Sequence, residues 1–250
     1  MTKIVYSTTV LSLSVIIPAF NEEKIIERSI RLLRDELRSF CPDFEIIVID
    51  DGSTDTTKEI LSQLKKDISQ LVIFSIAHNR GLGFAIRTGL SLASKELVFY
   101  TDADMPVAYK ELRKAVNRLD HSGSDIVLGT RIDRSAESIL RVIVSCVYNW
   151  LIRFLFGLKT RDINFAFKLM KRRVVECLDL TANGGFIDAE IVIQAVYLGF
   201  AVELIPLAYQ SRKDSASRLF RPSIIVSTLF DLSINFHRLR RMRRVQCKSV

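Results

Sequence analysis

Two carboxylates one residue apart, Asp102 and Asp104, close the apolar run "LVFYTDADMP" (Leu97–Pro106). Like charges held together at the end of a buried strand repel one another. A hard divalent cation removes that repulsion. Mg2+ takes only one or two protein carboxylates where a substrate's phosphates complete its shell. The spacing therefore points to a metal and diphosphate site with Asp102 and Asp104 as metal ligands. The competing reading is local, with Asp104 capping the helix that follows Pro106.

Two more polar clusters stand at the ends of apolar runs: "VIIPAFNEE" (Val15–Glu23) and "VIDDGSTDTT" (Val48–Thr57). Gly52 permits a tight turn, and Ser53, Thr54 or Asp55 can cap a helix. A capping loop needs one such residue, not three. Asp50 and Asp51 are suited to accept hydrogen bonds from a base N–H or a ribose hydroxyl. "NRGLGFAIRTG" (Asn79–Gly89) adds Gly81, Gly83 and Gly89. It is no Walker A loop, and its glycines lack the dinucleotide-binding spacing. Direct ligand contact and a glycine-softened helix start packed on a sheet both remain open for it.

The elements that must position these residues alternate along the first half. Strands are expected at Leu11–Ile17, Phe44–Ile49, Leu71–Ile76, Glu96–Thr101 and Asp125–Gly129. Helices are expected at Glu22–Ser39, Asp55–Ile68, Gly81–Ala93 and Val107–His121. Near-continuous apolar strands alternating with amphipathic helices imply an α/β fold, a mostly parallel sheet covered on both faces. Ligands then bind beyond the carboxyl ends of the strands, where the three polar clusters converge. The second half is less regular. An apolar segment spans Ser138–Gly157, a strand is expected at Asn164–Met170, a helix at Gly185–Gly199, a strand at Phe200–Pro206, and helix at the end.

A chain of 250 residues with 48% hydrophobic content can bury a substantial core. Of the net charge of +8, the stretch Leu232–Val250 carries +6 and the other 231 residues only +2. Such an end suits an anionic partner or a solvated helix. It lacks interleaved aromatics, which argues against nucleic acid. The cysteines Cys41, Cys146, Cys177 and Cys247 have no metal or redox spacing, as expected of reduced thiols in a cytosolic setting. Val10–Phe20 lacks a small-residue cleavage site, so it reads as a strand and not a leader. The charge-free stretch Val142–Ile152 is eleven residues long, where about 20 are needed to span a bilayer. We expect a domain over 1–219 and a basic helical extension over 220–250, membrane-associated through its charge.

The loops together resemble family 2 glycosyltransferases of the GT-A fold. "VIIPAFNEE", "VIDDGSTDTT", "NRGLGFAIRTG", "YTDADMP" and "GTR" occur in that family's order and spacing, and the likeness is closest to dolichyl-phosphate mannose and glucose synthases. It extends through "LKTRDINFAFKLMKR", "GGFIDAEIVIQAVYLGFAVELIP" and "RKDSASRL". The resemblance implies nucleotide contacts at Pro18, Phe20, Glu22, Ile49, Asp51, Asp102 and Ala103, and metal ligation by Asp102 and Asp104. It implies acceptor-phosphate contacts at Arg131, Arg141, Arg212, Ser217 and Arg218, with Asp102, Asp104, Arg131 and Arg141 in the catalytic set. Departures are Phe20 for tyrosine, Pro106 for a metal-assisting glutamine, Ala166 and Ser215 for glycines, and Arg218 for lysine.

The activity so implied is inverting transfer of a hexose from GDP-mannose or UDP-glucose to a polyprenyl (dolichyl-type) phosphate, with Mg2+ or Mn2+. A peripheral place on the cytosolic face of a membrane follows, with room for a transmembrane partner subunit and no role for nucleic acid. Ser138–Gly157 reads either as an interfacial helix or as core. Two alternatives stand beside this activity. One is a same-fold enzyme acting on a saccharide hydroxyl. The other is a non-catalytic nucleotide-binding module tethered to a membrane. Asp162 and Asp188 are the carboxylates with a place for a base, and both are expected to orient arginines or sugar hydroxyls instead.

Overall fold

The computed structural model describes residues 11–105, 107–133, 139–160, 162–208 and 222–246. The expected alternation holds. It runs β1 (Ser12–Ala19), α1 (Ile26–Arg38), β2 (Asp43–Asp50), α2 (Thr57–Asp67), β3 (Leu71–Ser75), α3 (Leu82–Leu92), β4 (Leu97–Thr101), α4 (Lys110–Ser122) and β5 (Ile126–Arg131). The second half gives α5 (Ile139–Phe156), β6 (Phe167–Lys171), α6 (Arg172–Cys177), α7 (Ile187–Tyr197), β7 (Val202–Leu207) and α8 (Pro222–Gln246).

The seven strands form one sheet in the order β3-β2-β1-β4-β6-β5-β7. Among the described strands only β6 is antiparallel, inserted between β4 and β5. Alternate residues of each strand feed opposite faces. Val15, Ile17 and Phe99 join α1, α2 and α4 in one core, while Ile16, Ile47 and Tyr100 join α3, α5, α7 and α8 in the other. Both faces are buried, so the strands read as continuous apolar runs. In α1 the buried residues Ile26, Ile30, Leu33 and Leu37 follow the helical period. Gly89 lets α3 settle onto the sheet, since a Cβ there would lie 2.4 Å from Ile16 Cγ2. Phe99 packs edge-on to Phe167 at 4.7 Å. Its truncation to alanine should cost about 3–5 kcal/mol.

Some boundaries differ from expectation. The strand expected from Asn164 begins at Phe167, because Asp162 takes a left-handed φ of 52° and Phe165 N–H closes a turn on its carbonyl at 3.1 Å. The six-residue α6 was not expected, being too short and too rich in β-branched residues to show a period. Asp104 does not cap α4, whose N-terminal boundary is Tyr109 with no side-chain cap. Three glycine-loop contacts are packing contacts: Gly81 and Gly83 abut residues 182–183, and Gly89 abuts Ile16.

Candidate active site

Because β1, β2 and β4 are parallel neighbours, their polar loops emerge at one edge. The first two are stitched together. The Asn21 amide N–H donates to Ser53 Oγ at 2.9 Å, and Asn21 Oδ1 accepts from Thr54 N–H at 2.7 Å. Glu22 N–H donates to Thr57 Oγ1 at 2.8 Å, and that hydroxyl donates to Asp55 Oδ1 at 2.6 Å. Asp55 also accepts from the amides of Thr57 and Glu23. Burial pushes the Asp55 carboxyl up, but these donors outweigh it and hold the group below the ordinary range. Ser53, Thr54, Asp55 and Thr57 of "GSTDTT" thus do more than cap α2.

Asp51 is buried, and its two oxygens accept from Arg80 N–H at 2.8 Å and Gly81 N–H at 2.9 Å. Burial raises its pKa, those two amides oppose the rise, and Asp50 adds to it. Gly52 has φ of 73°, and a Cβ there would lie 2.7 Å from Asn79 N. The turn therefore needs glycine both for its conformation and for the close approach of His78 and Asn79. Pro18 and Ile49 pair across β1 and β2. The Ile49 side chain is fully buried in the second core, so only its backbone faces the edge.

At the end of β4, Met105 N–H donates to Asp102 carbonyl at 3.0 Å, and Met105 takes a positive φ of 37°. Asn21, Met105 and Asp162 are the non-glycine residues with positive φ among the described residues. All three lie in loops at this edge, where strained backbone is commonly kept for function. The Asp102 carboxyl is pushed well above its usual range by burial, then by the charges of Asp104 and Asp188, with Lys168 opposing. Two mutually repelling carboxylates with hard oxygen donors fit a divalent cation. Among the described residues no group of three or more His, Cys, Asp or Glu could hold a metal by itself. The donor set thus suits an ion completed by a diphosphate.

On the other side of the edge, β5 ends in Arg131. Its Nε donates to Asp162 Oδ2 at 2.8 Å, its Nη2 donates to Asp162 Oδ1, and its backbone N–H donates to Oδ2 at 3.0 Å. The guanidinium lies 5.3 Å from the Phe165 ring centre. A cavity of about 390 Å³ opens beside this pair, lined by Arg131, Asp162 and, from α5, Cys146, Asn149, Trp150 and Arg153. Asn149 Oδ1 accepts from Ile163 N–H at 2.7 Å and ties α5 to the loop. The outer row of α5 is apolar and exposed: Ile139 79%, Ile143 53%, Val147 59%, Trp150 62% and Phe154 72%. Trp150 and Phe154 stack at 5.5 Å. Ile152 and Phe156 face inward, so this helix is core on one side and exposed apolar surface on the other. Arg141 is placed on α5 by its backbone alone. Arg212, Ser217, Arg218, Pro106 and Ser138 lie outside the described residues.

Lys168 was not singled out from the sequence. It is 1% exposed on β6, opposite Tyr100, with Nζ donating to Asp188 and to Phe165 carbonyl at 2.8 Å. A lysine within "FAFKLMK" was the available signal, since a buried ammonium requires a partner. Asp188 thus holds a lysine rather than an arginine.

A parallel sheet with one reversed strand after the Asp-Ala-Asp strand, and acidic loops gathered at its carboxyl edge, is a GT-A glycosyltransferase fold. The chain belongs to glycosyl transferase family 2, whose model matches residues 14–179. It is 30% identical over 247 residues to glycosyltransferase AglD of Haloferax volcanii, covering 94% of this chain and 39% of that protein. The chain therefore spans well under half the length of that relative. It is 27% identical to polyprenol monophosphomannose synthase of Mycolicibacterium smegmatis, over 82% of this chain and 80% of the relative. It is 28% identical to dolichyl-phosphate beta-glucosyltransferase of Saccharomyces cerevisiae, over 85% and 71%. Its fold matches mannosyl-3-phosphoglycerate synthase of Rubrobacter xylanophilus with a TM-score of 0.70 at 18% identity, over 92% of this chain and 75% of that one. It also matches the mannosyltransferase PcManGT of Pyrobaculum calidifontis, solved with GDP-Man and Mn2+, with a TM-score of 0.64 at 19% identity, over 96% and 74%.

Proposed function

We propose that this chain transfers a hexose, with inversion, from a nucleoside diphosphate sugar to a polyprenyl phosphate at a membrane surface. The observation that carries this reading, among the described residues, is the engagement of Asp162 and Asp188, the two carboxylates expected to have a place for a base. Asp162 is engaged by Arg131 and Asp188 by Lys168. A hydroxyl acceptor needs a free base. A phosphate monoester has a second pKa of about 6 and is already an anion at neutral pH. It needs cations to hold it, and Arg131 lines the cavity beside the β5 end with Arg153. Arginine suits forked contacts with phosphate. The relatives named for polyprenol phosphate and dolichyl phosphate chemistry support the same acceptor class.

On the donor side, Pro18, Phe20, Glu22, the Ile49 backbone, Asp51, Asp102 and Ala103 form the nucleotide site in this reading. Asp102 and Asp104 would hold Mg2+ or Mn2+, which when bound offsets charge on the leaving diphosphate. The neighbour solved with Mn2+ and GDP-Man supports a divalent ion. Arg141, Arg212, Ser217 and Arg218 complete the acceptor-phosphate contacts in the same reading.

Among the described residues no helix is long and apolar enough to cross a membrane. The exposed apolar row of α5 and the basic extension over 220–250 are our candidates for peripheral attachment on the cytosolic face. The reading is tested by a donor screen of GDP-mannose, UDP-glucose and UDP-N-acetylglucosamine against a short polyprenyl phosphate with Mn2+. Turnover of at least one donor is expected. A complete absence of turnover, with a folded protein, contradicts it.

A further inference from the structure

The side of α8 turned toward the body carries polar contacts as well as apolar ones. Asp231 Oδ2 accepts from Gly184 N–H at 2.8 Å. Arg238 donates to Asp179 carbonyl at 2.7 Å, Asp179 Oδ2 at 3.0 Å, Thr181 Oγ1 at 2.9 Å and the buried Glu190 carboxylate. Glu190 in turn accepts from the Thr181 amide at 3.1 Å and the Ala182 amide at 2.9 Å. The opposite side of α8 exposes Val226, Leu229, Phe230 and Ile234. Leu232 and Leu239 seat the helix in the second core.

What α8 holds is the segment 179–184, and that segment is the floor of another loop. Asn183 carbonyl accepts from Gly83 N–H at 2.8 Å, and Asn183 Oδ1 accepts from Arg87 Nη2. A Cβ on Gly81 would lie 2.5 Å from Asn183 O, and one on Gly83 would lie 2.3 Å from Ala182 O. The start of α3 is therefore in backbone contact with this segment. The same loop supplies the Arg80 and Gly81 amides that hold Asp51. Each step of the series α8, 179–184, 80–83, Asp51 is a hydrogen bond or a contact too close for a methyl group.

We propose that Arg238 and Asp231 are positioning residues for the donor nucleotide, setting the placement of Asp51 through segment 179–184 and the start of α3. The inference rests on the reading of Asp51 as a nucleotide contact. The helix that faces outward with an apolar surface is thereby tied to donor affinity.

The test titrates UDP and, separately, GDP, each with Mn2+, into the full 250-residue chain in lipid-free buffer, by calorimetry. Arg238→Ala should bind the preferred nucleotide about tenfold more weakly, a usual size for coupling between sites. Arg238→Lys, which keeps the charge beside Glu190, should recover part of the loss. Arg87→Ala releases segment 179–184 from its other side. The double variant with Arg238→Ala should then lose less than the two single losses combined, because both act through one segment. If Arg238→Ala does not fold, the comparison moves to Arg238→Lys with and without Arg87→Ala. Wild-type affinity in a folded Arg238→Ala, or strictly additive losses, overturns the inference. Wild-type protein that binds neither UDP nor GDP overturns the donor-site reading first, and the clamp with it.

Discussion

The Arg131 guanidinium is clasped by Asp162, Nε to Oδ2 at 2.8 Å, while the Arg131 amide donates to the same oxygen at 3.0 Å. One carboxylate thus fixes both the backbone and the side chain at the end of β5. The pair has side-chain exposures of 6% and 10%, so water does little to weaken it. This geometry presents a cation to the cavity in one orientation. Asp162→Ala should lower kcat/KM for the acceptor about 10- to 100-fold, the scale of a lost charged hydrogen bond or two. Donor affinity should stay within about twofold of wild type. An Asp162→Ala enzyme with normal acceptor kinetics would remove Arg131 from the acceptor site.

The strand-end carboxylates give a second prediction. Asp104→Asn should abolish transfer, and excess EDTA should do the same to wild type. Mn2+ binding in the presence of UDP or GDP, followed by electron paramagnetic resonance, should weaken by at least about tenfold in the variant. Full activity in EDTA would contradict a metal at Asp102 and Asp104.

A third prediction concerns pH. Asp55 has a folded pKa below its unfolded value of about 4. Its contribution to stability is therefore fully present above pH 4 and is lost as pH falls through the lower folded value. Asp55→Asn should lower the urea midpoint more at pH 7 than near pH 3, below the ordinary carboxylate range. The wild-type advantage should shrink between those limits. An equal deficit at both pH values would mean that the carboxylate charge contributes nothing to the loop stitching.

Much of the architecture was legible because apolar runs and helical periods are local signals. The strand ends at Ala19, Asp50 and Thr101 carried their polar signatures in plain view. The carboxylate pair at Asp102 and Asp104 needed only spacing and strand context. Lys168 and Asp188 meet across twenty positions of chain, and Arg238 reaches Glu190 across 48. Such pairs depend on the antiparallel insertion of β6 and on the docking of α8, and neither has a local pattern. The question of whether Ser138–Gly157 is core or surface also had no answer in composition, since Phe156 is buried and Phe154 exposed on one helix.

That exposed row yields a fourth prediction. Replacing Trp150 and Phe154 together with serine should weaken binding to anionic vesicles, because each buried aromatic contributes about 1.5–3 kcal/mol. Raising the salt should weaken wild-type binding as well, since charge attraction is screened over about 8 Å at physiological ionic strength. Vesicle binding that is unchanged by the substitutions and by salt would leave the row to another partner.

The central claim is that the acceptor is a phosphate held by arginines and needs no base. The direct measurement compares two acceptors with the same isoprenoid tail, a polyprenyl phosphate and the corresponding polyprenol, by release of nucleoside diphosphate from the preferred donor with Mn2+. The account predicts release with the phosphate and none with the alcohol. It also predicts a rate that rises with ionisation of the acceptor phosphate near pH 6 rather than with a carboxylate of the protein. Release with a hydroxyl acceptor but not with the phosphate, or a rate that follows a carboxylate near pH 4, would contradict it.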